Sequence, residues 1–412
     1  MRATLPPSSS PWPELRERME AMREHDLDWR HGRHGAYVWY ANDNLEEVLR
    51  EAYGMFMAEN GLGLRAFPSI NRMETEVLEI VQGLLHAPAT AAGIFTSGGT
   101  ESIFLAMLAL REWARETFPA IERPTIIAPF SAHPALNKSA HILGLNVVRV
   151  PVGADYRADP AAIEAAVTPE TVGLYASAPS YSLGMVDPVA ALGELAMRNN
   201  LWLHVDACVG GVLAPAVRRI GYSVPSFDFE VAGVSSISAD LHKSGFAAKP
   251  ASTVTFRTRE LREGARYRMN EWPSGTYSAY TFTGSRPGGA IAAAWAALHY
   301  LGEAGYDELA ASSMRARDAL IAGLTAIPGV FVHGLPDLWA FAFGAEGIDF
   351  GRVAGALAAE GWAFGATVSP PGIHVMPTPI HEPYVADFVE AAARAVAGAR
   401  EGTAPVAAAR YN

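Results

Sequence analysis

Cysteine is almost absent: Cys208 is the only one in 412 residues. That excludes a disulfide framework and a multi-cysteine metal site, and it suits a reducing compartment. Basic charge is also scarce. The formal net charge is −11, so a nucleic-acid groove, which needs a concentrated basic face, is not expected. Long apolar runs are missing too. Residues 290–301 are alanine-rich and too short to span a bilayer, and the uncharged stretch 361–380 is broken by Pro370, Pro371, Pro377 and Pro379. The opening MRATLPPSSSPWPELRERME has no signal-peptide core; it reads as a loose arm leading into a helix. The expectation is a cytoplasmic protein without a transmembrane segment and without a metal site. What the chain does have is a hydrophobic half and only 18% charged residues, at a length that calls for two or three lobes.

Short β-branched runs alternate with helical stretches through the middle of the chain. Strands are expected at 125–128, 146–152, 172–177, 201–207, 234–239 and 252–257. A helix is expected over 187–199, with Asp187 as its cap, Pro188 at its first position and Asn199–Asn200 as its stop. Such alternation implies a mostly parallel α/β sheet covered on both faces, with ligands beyond the carboxyl ends of the strands. Asp206 and the segment 238–243 fall at such ends. After about residue 310 the pattern becomes helix 313–327, segments 329–334 and 338–343, and helices 351–361 and 383–400. The resulting division is an arm and helix over 1–58, a large domain over 59–305 and a small α+β domain over 306–412. The arm is aromatic at Tyr37, Trp39 and Tyr40.

Four segments carry chemistry. Thr96-Ser97-Gly98-Gly99-Thr100-Glu101-Ser102 precedes the amphipathic run 103–113; glycines admit close backbone approach, and a helix start offers free N–H groups to a phosphate. Taken alone it is also an ordinary loop, and the dinucleotide spacing is absent. Leu203-His204-Val205-Asp206-Ala207 ends an apolar strand in an acid. Such an acid either caps the next turn or meets a cation, and a protonated pyridine nitrogen is one such cation. In Ser238-Ala239-Asp240-Leu241-His242-Lys243-Ser244-Gly245 a lysine follows another apolar strand. If it is not simply exposed, burial is expected to lower its pKa and free a nucleophilic amine. Gly284-Ser285-Arg286-Pro287-Gly288-Gly289 is a second small-residue turn opening a helix. Together they supply a phosphate cradle, a ring-nitrogen partner and an amine, the set that pyridoxal phosphate requires.

These residues resemble the pyridoxal-phosphate group II decarboxylase family, which has the aspartate-aminotransferase-like fold (fold type I). Among its branches the likeness is to the sphingosine-1-phosphate lyases. It rests on TSGGTES (96–102), the stretch 128–152, GMVDPVAALGELA (184–196), LHVDACVGG (203–211), FDFEVAGVSSISADLHKSGFAAK (227–249) and GSRPGGAIAAAWAAL (284–298). The resemblance implies that Lys243 holds the cofactor as a Schiff base, Asp206 pairs with the ring nitrogen and His133 stacks on the ring; His133 also reads as a helix cap. Gly99, Thr100 and His242 would bind the cofactor phosphate, and Ser285 would reach it from the partner in a homodimer. Lys249 matches a lysine on the substrate phosphate, and Tyr181 an aromatic position near the substrate. Two departures stand out. Gly63, in Asn60-Gly61-Leu62-Gly63-Leu64-Arg65, takes the place of a phosphate-binding histidine, leaving Arg65 as a substitute cation. Gly35-Ala36-Tyr37-Val38 shifts a tyrosine by one position, so that Tyr37 or Trp39 would face the substrate.

The expected reaction is carbon–carbon cleavage of a phosphorylated, lipid-like 2-amino-3-hydroxy compound. Tyr181, Tyr37 or a water would take the hydroxyl proton, and Lys243 or a neighbouring acid would return a proton to carbon. Amino-acid α-decarboxylation, with Arg65 on a carboxylate, is the alternative. A cofactor-binding protein without catalysis is a third reading.

Overall fold

The structure is a computed structural model that describes residues 2, 4–35, 37–62 and 65–406. Its centre is a seven-stranded sheet of β1 (Ala92–Thr96), β2 (Thr125–Pro129), β3 (Asn146–Val150), β4 (Thr171–Ser177), β5 (Trp202–Asp206), β6 (Ser236–Ala239) and β7 (Ser252–Phe256), in the order β1-β7-β6-β5-β4-β2-β3. All pairings are parallel except those of β7, which runs antiparallel to β1 and β6. Strands β2, β4, β5, β6 and β7 are buried along their whole length, as strands covered by helices on both faces must be. The mostly parallel α/β architecture is as the alternation predicts. Strand β1 was not among the expected strands, because AGIFT is short and holds a glycine. That glycine is needed, since a Cβ on Gly93 would come within 2.9 Å of the Leu78 side chain.

In chain order the helices are α1 (Trp12–Met22), α2 (Asp43–Met55), α3 (Pro68–Leu84), α4 (Gly99–Thr117), α5 (Ala135–Leu143), α6 (Pro160–Ala165), α7 (Val189–Arg198), α8 (Ala214–Arg219), α9 (Arg259–Glu263), α10 (Gly288–Thr325), α11 (Phe350–Ala359) and α12 (Val385–Arg400). Helix α10, broken at Gly302, packs on α2, α3, α8 and α12 and carries the chain across to the C-terminal lobe. There β10 (Val330–Val332), β11 (Phe341–Ala345), β12 (Gly365–Val368) and β13 (Pro371–Val375) form an antiparallel sheet. An exposed hairpin of β8 (Tyr267–Trp272) and β9 (Gly275–Ala279) completes the set. No described helix is long and apolar enough to cross a membrane.

Two local expectations need correction. The strand expected over 146–152 stops at Val150, and Val152 instead bridges Ala158. Asp187 does not cap α7, whose N-cap is Pro188 without a side-chain bond. Its fully buried carboxylate accepts instead from Ala158 N and Ser177 N, both at 2.8 Å, tying the end of β4 to the loop before α6. Burial, opposed by those two bonds, pushes Asp187 up to about 6.

A carboxyl raised on folding contributes stability that is complete below its unfolded pKa of roughly 3.9 and is lost as pH rises through about 6. Urea midpoints for wild type and Asp187→Asn should therefore diverge between these values. Wild type should lose on the order of 3 kcal/mol relative to the variant, with no further change above. Parallel pH curves would show that Asp187 does not titrate there.

Candidate active site

The carboxyl ends of β1, β2, β4, β5 and β6 lie along one edge of the sheet. Reversal of β7 brings the segment before Ser252 to the same edge. A cleft of about 480 Å³ opens there, lined by Gly98, Gly99, Thr100, Glu101, His133, Tyr181, Asp206, Cys208, Asp240, His242, Lys243 and Lys249. Residues from distant parts of the sequence thus meet because each follows a strand.

Asp206 ends β5, in register with Ser177 and Ser238. Its Oδ2 accepts from the Tyr175 hydroxyl at 2.7 Å, and its Oδ1 from Cys208 N at 3.1 Å. Capping of the next turn and exposure to the cleft therefore coexist in one side chain. Burial works to raise its carboxyl, but the charge of His133, the Tyr175 and Cys208 hydrogen bonds and Lys243 outweigh it and hold Asp206 below the usual range. It presents a fixed negative charge to the cleft. His133 also plays two parts. Its Nδ1 accepts from Ala135 N at 3.2 Å at the start of α5, and its ring lies 6.1 Å from that of Tyr181. Burial keeps it below the usual histidine range.

Lys243 follows β6, with its Nζ 2.9 Å from Asp240 Oδ2. Here the expectation of a depressed amine is overturned. Burial does press the pKa down, but Asp240, then Cys208 and Asp206, outweigh it and hold the ammonium above the ordinary lysine value. Lys249 stands in contrast. Burial and the neighbouring Lys243 lower it, and among the described residues no carboxylate pairs with it. His242 Nδ1 accepts from Ala251 N at 3.1 Å, which fixes the ring beside the glycine turn.

That turn opens α4 without a side-chain cap, so the first N–H groups of the helix face the cleft unclaimed by a capping residue. A Cβ on Gly99 would lie 2.6 Å from Cys208 Sγ and 2.9 Å from Asp240 Oδ2, whereas one on Gly98 would meet only His242 Cε1 at 3.4 Å. A free helix start, a buried anion and an amine on one cleft wall fit a phosphorylated, protonated pyridine aldehyde.

Three expected residues lie elsewhere. Tyr37, 57% exposed, lines an adjoining cavity of about 570 Å³ that shares His133 and Tyr181 with the cleft. Ser285 sits on an exposed turn, where its Oγ accepts from Asn60 Nδ2 at 3.1 Å. Arg65 is exposed and lines neither cavity. Gly63, which carries one of the two departures from the lyase pattern, lies outside the described residues, as do Ala36 and Leu64. The sequence reading did not single out Asp240, Tyr175 or Glu101. Glu101 accepts from Ser97 N at 2.7 Å and from Phe282 N at 2.9 Å, fastening the glycine turn to the segment before Ser285. Asp240 was visible as an acid three residues before the lysine. The part played by Tyr175 required knowing that β4 lies beside β5.

The chain belongs to the pyridoxal-dependent decarboxylase family, whose conserved domain matches residues 10–331, and it is a pyridoxal-phosphate-dependent lyase. Within that family it is 37% identical over 401 residues to sphingosine-1-phosphate lyase of Arabidopsis thaliana, an alignment covering 95% of this chain and 73% of that one. The solved sphingosine-1-phosphate lyase of Burkholderia pseudomallei K96243 superposes with a TM-score of 0.93 at 36% identity, over 97% of this chain and 94% of that one. Glutamate decarboxylase of Lactobacillus brevis, at 18% identity and a TM-score of 0.82 over 97% and 95% of the two chains, shares the fold.

Overlap at Gly99 should cost roughly 1–3 kcal/mol, so Gly99→Ala is expected to weaken pyridoxal phosphate binding by about 10- to 100-fold. Gly98→Ala should change it far less. Absorbance titration of the cofactor-free proteins tests this; equal losses would mean that the Gly99 contact is not the limiting one.

Proposed function

We propose that the protein is a carbon–carbon lyase that cleaves a phosphorylated long-chain 2-amino-3-hydroxy compound into an aldehyde and a phospho-amine. The observation that carries this reading is a pair of unlike neighbours around Lys243. On one side is Lys249, a cation without an acidic partner among the described residues. On the other, past His133 and Tyr181, the 570 Å³ cavity is walled largely by apolar groups such as Phe130, Val152, Leu183 and Val368, with no carboxylate among its described lining residues. An anionic head and an apolar tail match these two environments.

When bound, pyridoxal phosphate draws electrons from a bond at the α-carbon of the amine joined to it. The chain does the rest. Asp206 would keep a negative charge beside the ring nitrogen, His133 would stack on the ring, and Gly99, Thr100 and His242 would hold the cofactor phosphate. Lys249 holds the substrate phosphate by a charge-assisted contact. Tyr181, at the junction of cleft and cavity, takes the proton of the 3-hydroxyl, and Lys243 returns a proton to the α-carbon. Ser285 lies on an exposed turn outside this cleft, as a residue serving a partner subunit's site would. Arg65, on which a carboxylate-binding decarboxylase reading leaned, does not line the cleft of its own chain.

Losing one charge-assisted contact costs about 1.5–3 kcal/mol. Lys249→Ala should therefore lower kcat/KM for the phosphorylated substrate by roughly 10- to 100-fold, with unchanged cofactor absorbance. The expected product is aldehyde without carbon dioxide. Carbon dioxide from amino acids, or a Lys249→Ala enzyme as fast as wild type, would overturn the reading.

A further inference from the structure

The chain has three lysines, Lys138, Lys243 and Lys249, in three different settings. Lys138 is exposed on α5. Lys249 lines the cleft with no acid paired to it among the described residues. Among the described residues Lys243 is the lysine that is ion-paired, and its partner is anchored from behind. Asp240 is buried, and its Oδ1 accepts from Ser252 Oγ at 2.5 Å. Ser252 Oγ is bonded to Ser102 Oγ at 2.8 Å, and that hydroxyl to Thr96 Oγ1 at 2.6 Å. This row of hydroxyls runs under the glycine turn from β7 to the end of β1. It leaves the Oδ2 of Asp240 directed at Lys243 Nζ.

We propose that Asp240 is the positioning residue of Lys243, pinning the amine to the cleft wall and governing its proton, so that this lysine meets an aldehyde only as the pair allows. The proposal rests on Lys243 being the cofactor lysine. The step is one proton transfer. An N–H bond of the ammonium breaks, its electron pair stays on nitrogen as a lone pair, and the proton passes to Asp240 Oδ2. Of the other groups facing Lys243, Cys208 and Asp206 act in the same direction as Asp240, and the charge of Lys243 in turn lowers His133, His242 and Lys249. Burial is the largest influence on the amine and also opposes Asp240, so removing the Asp240 charge lets burial prevail.

Reductive methylation of the full chain freed of pyridoxal phosphate, with formaldehyde and cyanoborohydride across a pH series, reads each lysine separately by mass spectrometry. Lys249 should react at a lower pH than Lys243. In Asp240→Asn, the Lys243 profile should move to lower pH. The proposal falls if wild-type Lys243 reacts with or before Lys249, or if its profile in Asp240→Asn superimposes on wild type. The wild-type ordering decides the matter even if the variant does not fold. No substrate or cofactor is involved, so failure here leaves the lyase reading standing, and failure of that reading leaves this result standing.

Discussion

A carboxylate buried at the end of a strand is costly unless its charge is met. Asp206 is met by the field of His133, by the Tyr175 hydroxyl, by the backbone N–H of Cys208 and by the positive field of Lys243 in the cleft. Truncating one partner of such a buried, bonded charge typically costs about 3–5 kcal/mol. The surrounding sheet is therefore bound to this arrangement. Strand β4 must lie beside β5 to deliver Tyr175, and β6 must follow on the other side to bring Asp240 and Lys243 to the same edge.

The same edge explains why the cleft has two cations with different properties. Strand β7 runs opposite to its neighbours, so the segment between β6 and β7 leaves and returns at one end of the sheet. Lys243 and Lys249 thus line one cleft, yet among the described residues only Lys243 is paired with an acid. One amine is held charged by its partner, and the other is a desolvated cation awaiting an anion. The division of labour proposed for them follows from that difference in partners.

Much of this was legible in the sequence. Strand–helix alternation gives the sheet, and the position of Asp206 and Lys243 after apolar strands gives the cleft, because ligands bind at strand carboxyl ends. What was not legible depended on contacts between distant segments. Asp187, in Met185-Val186-Asp187-Pro188, looks like a helix cap only because its true partners, Ala158 N and Ser177 N, lie on other elements. The charge state of Lys243 was misjudged because burial was considered without Asp240, whose row of supporting hydroxyls joins β1, α4 and β7. Tyr175 could be assigned only once strand order was known.

The central claim is that Lys243 is the residue joined to pyridoxal phosphate. Borohydride reduction of the cofactor-loaded protein, followed by peptide mapping, tests it directly. The account predicts the pyridoxyl group on Lys243 and on neither Lys138 nor Lys249. A label on another lysine, or no covalent label at all, would contradict it.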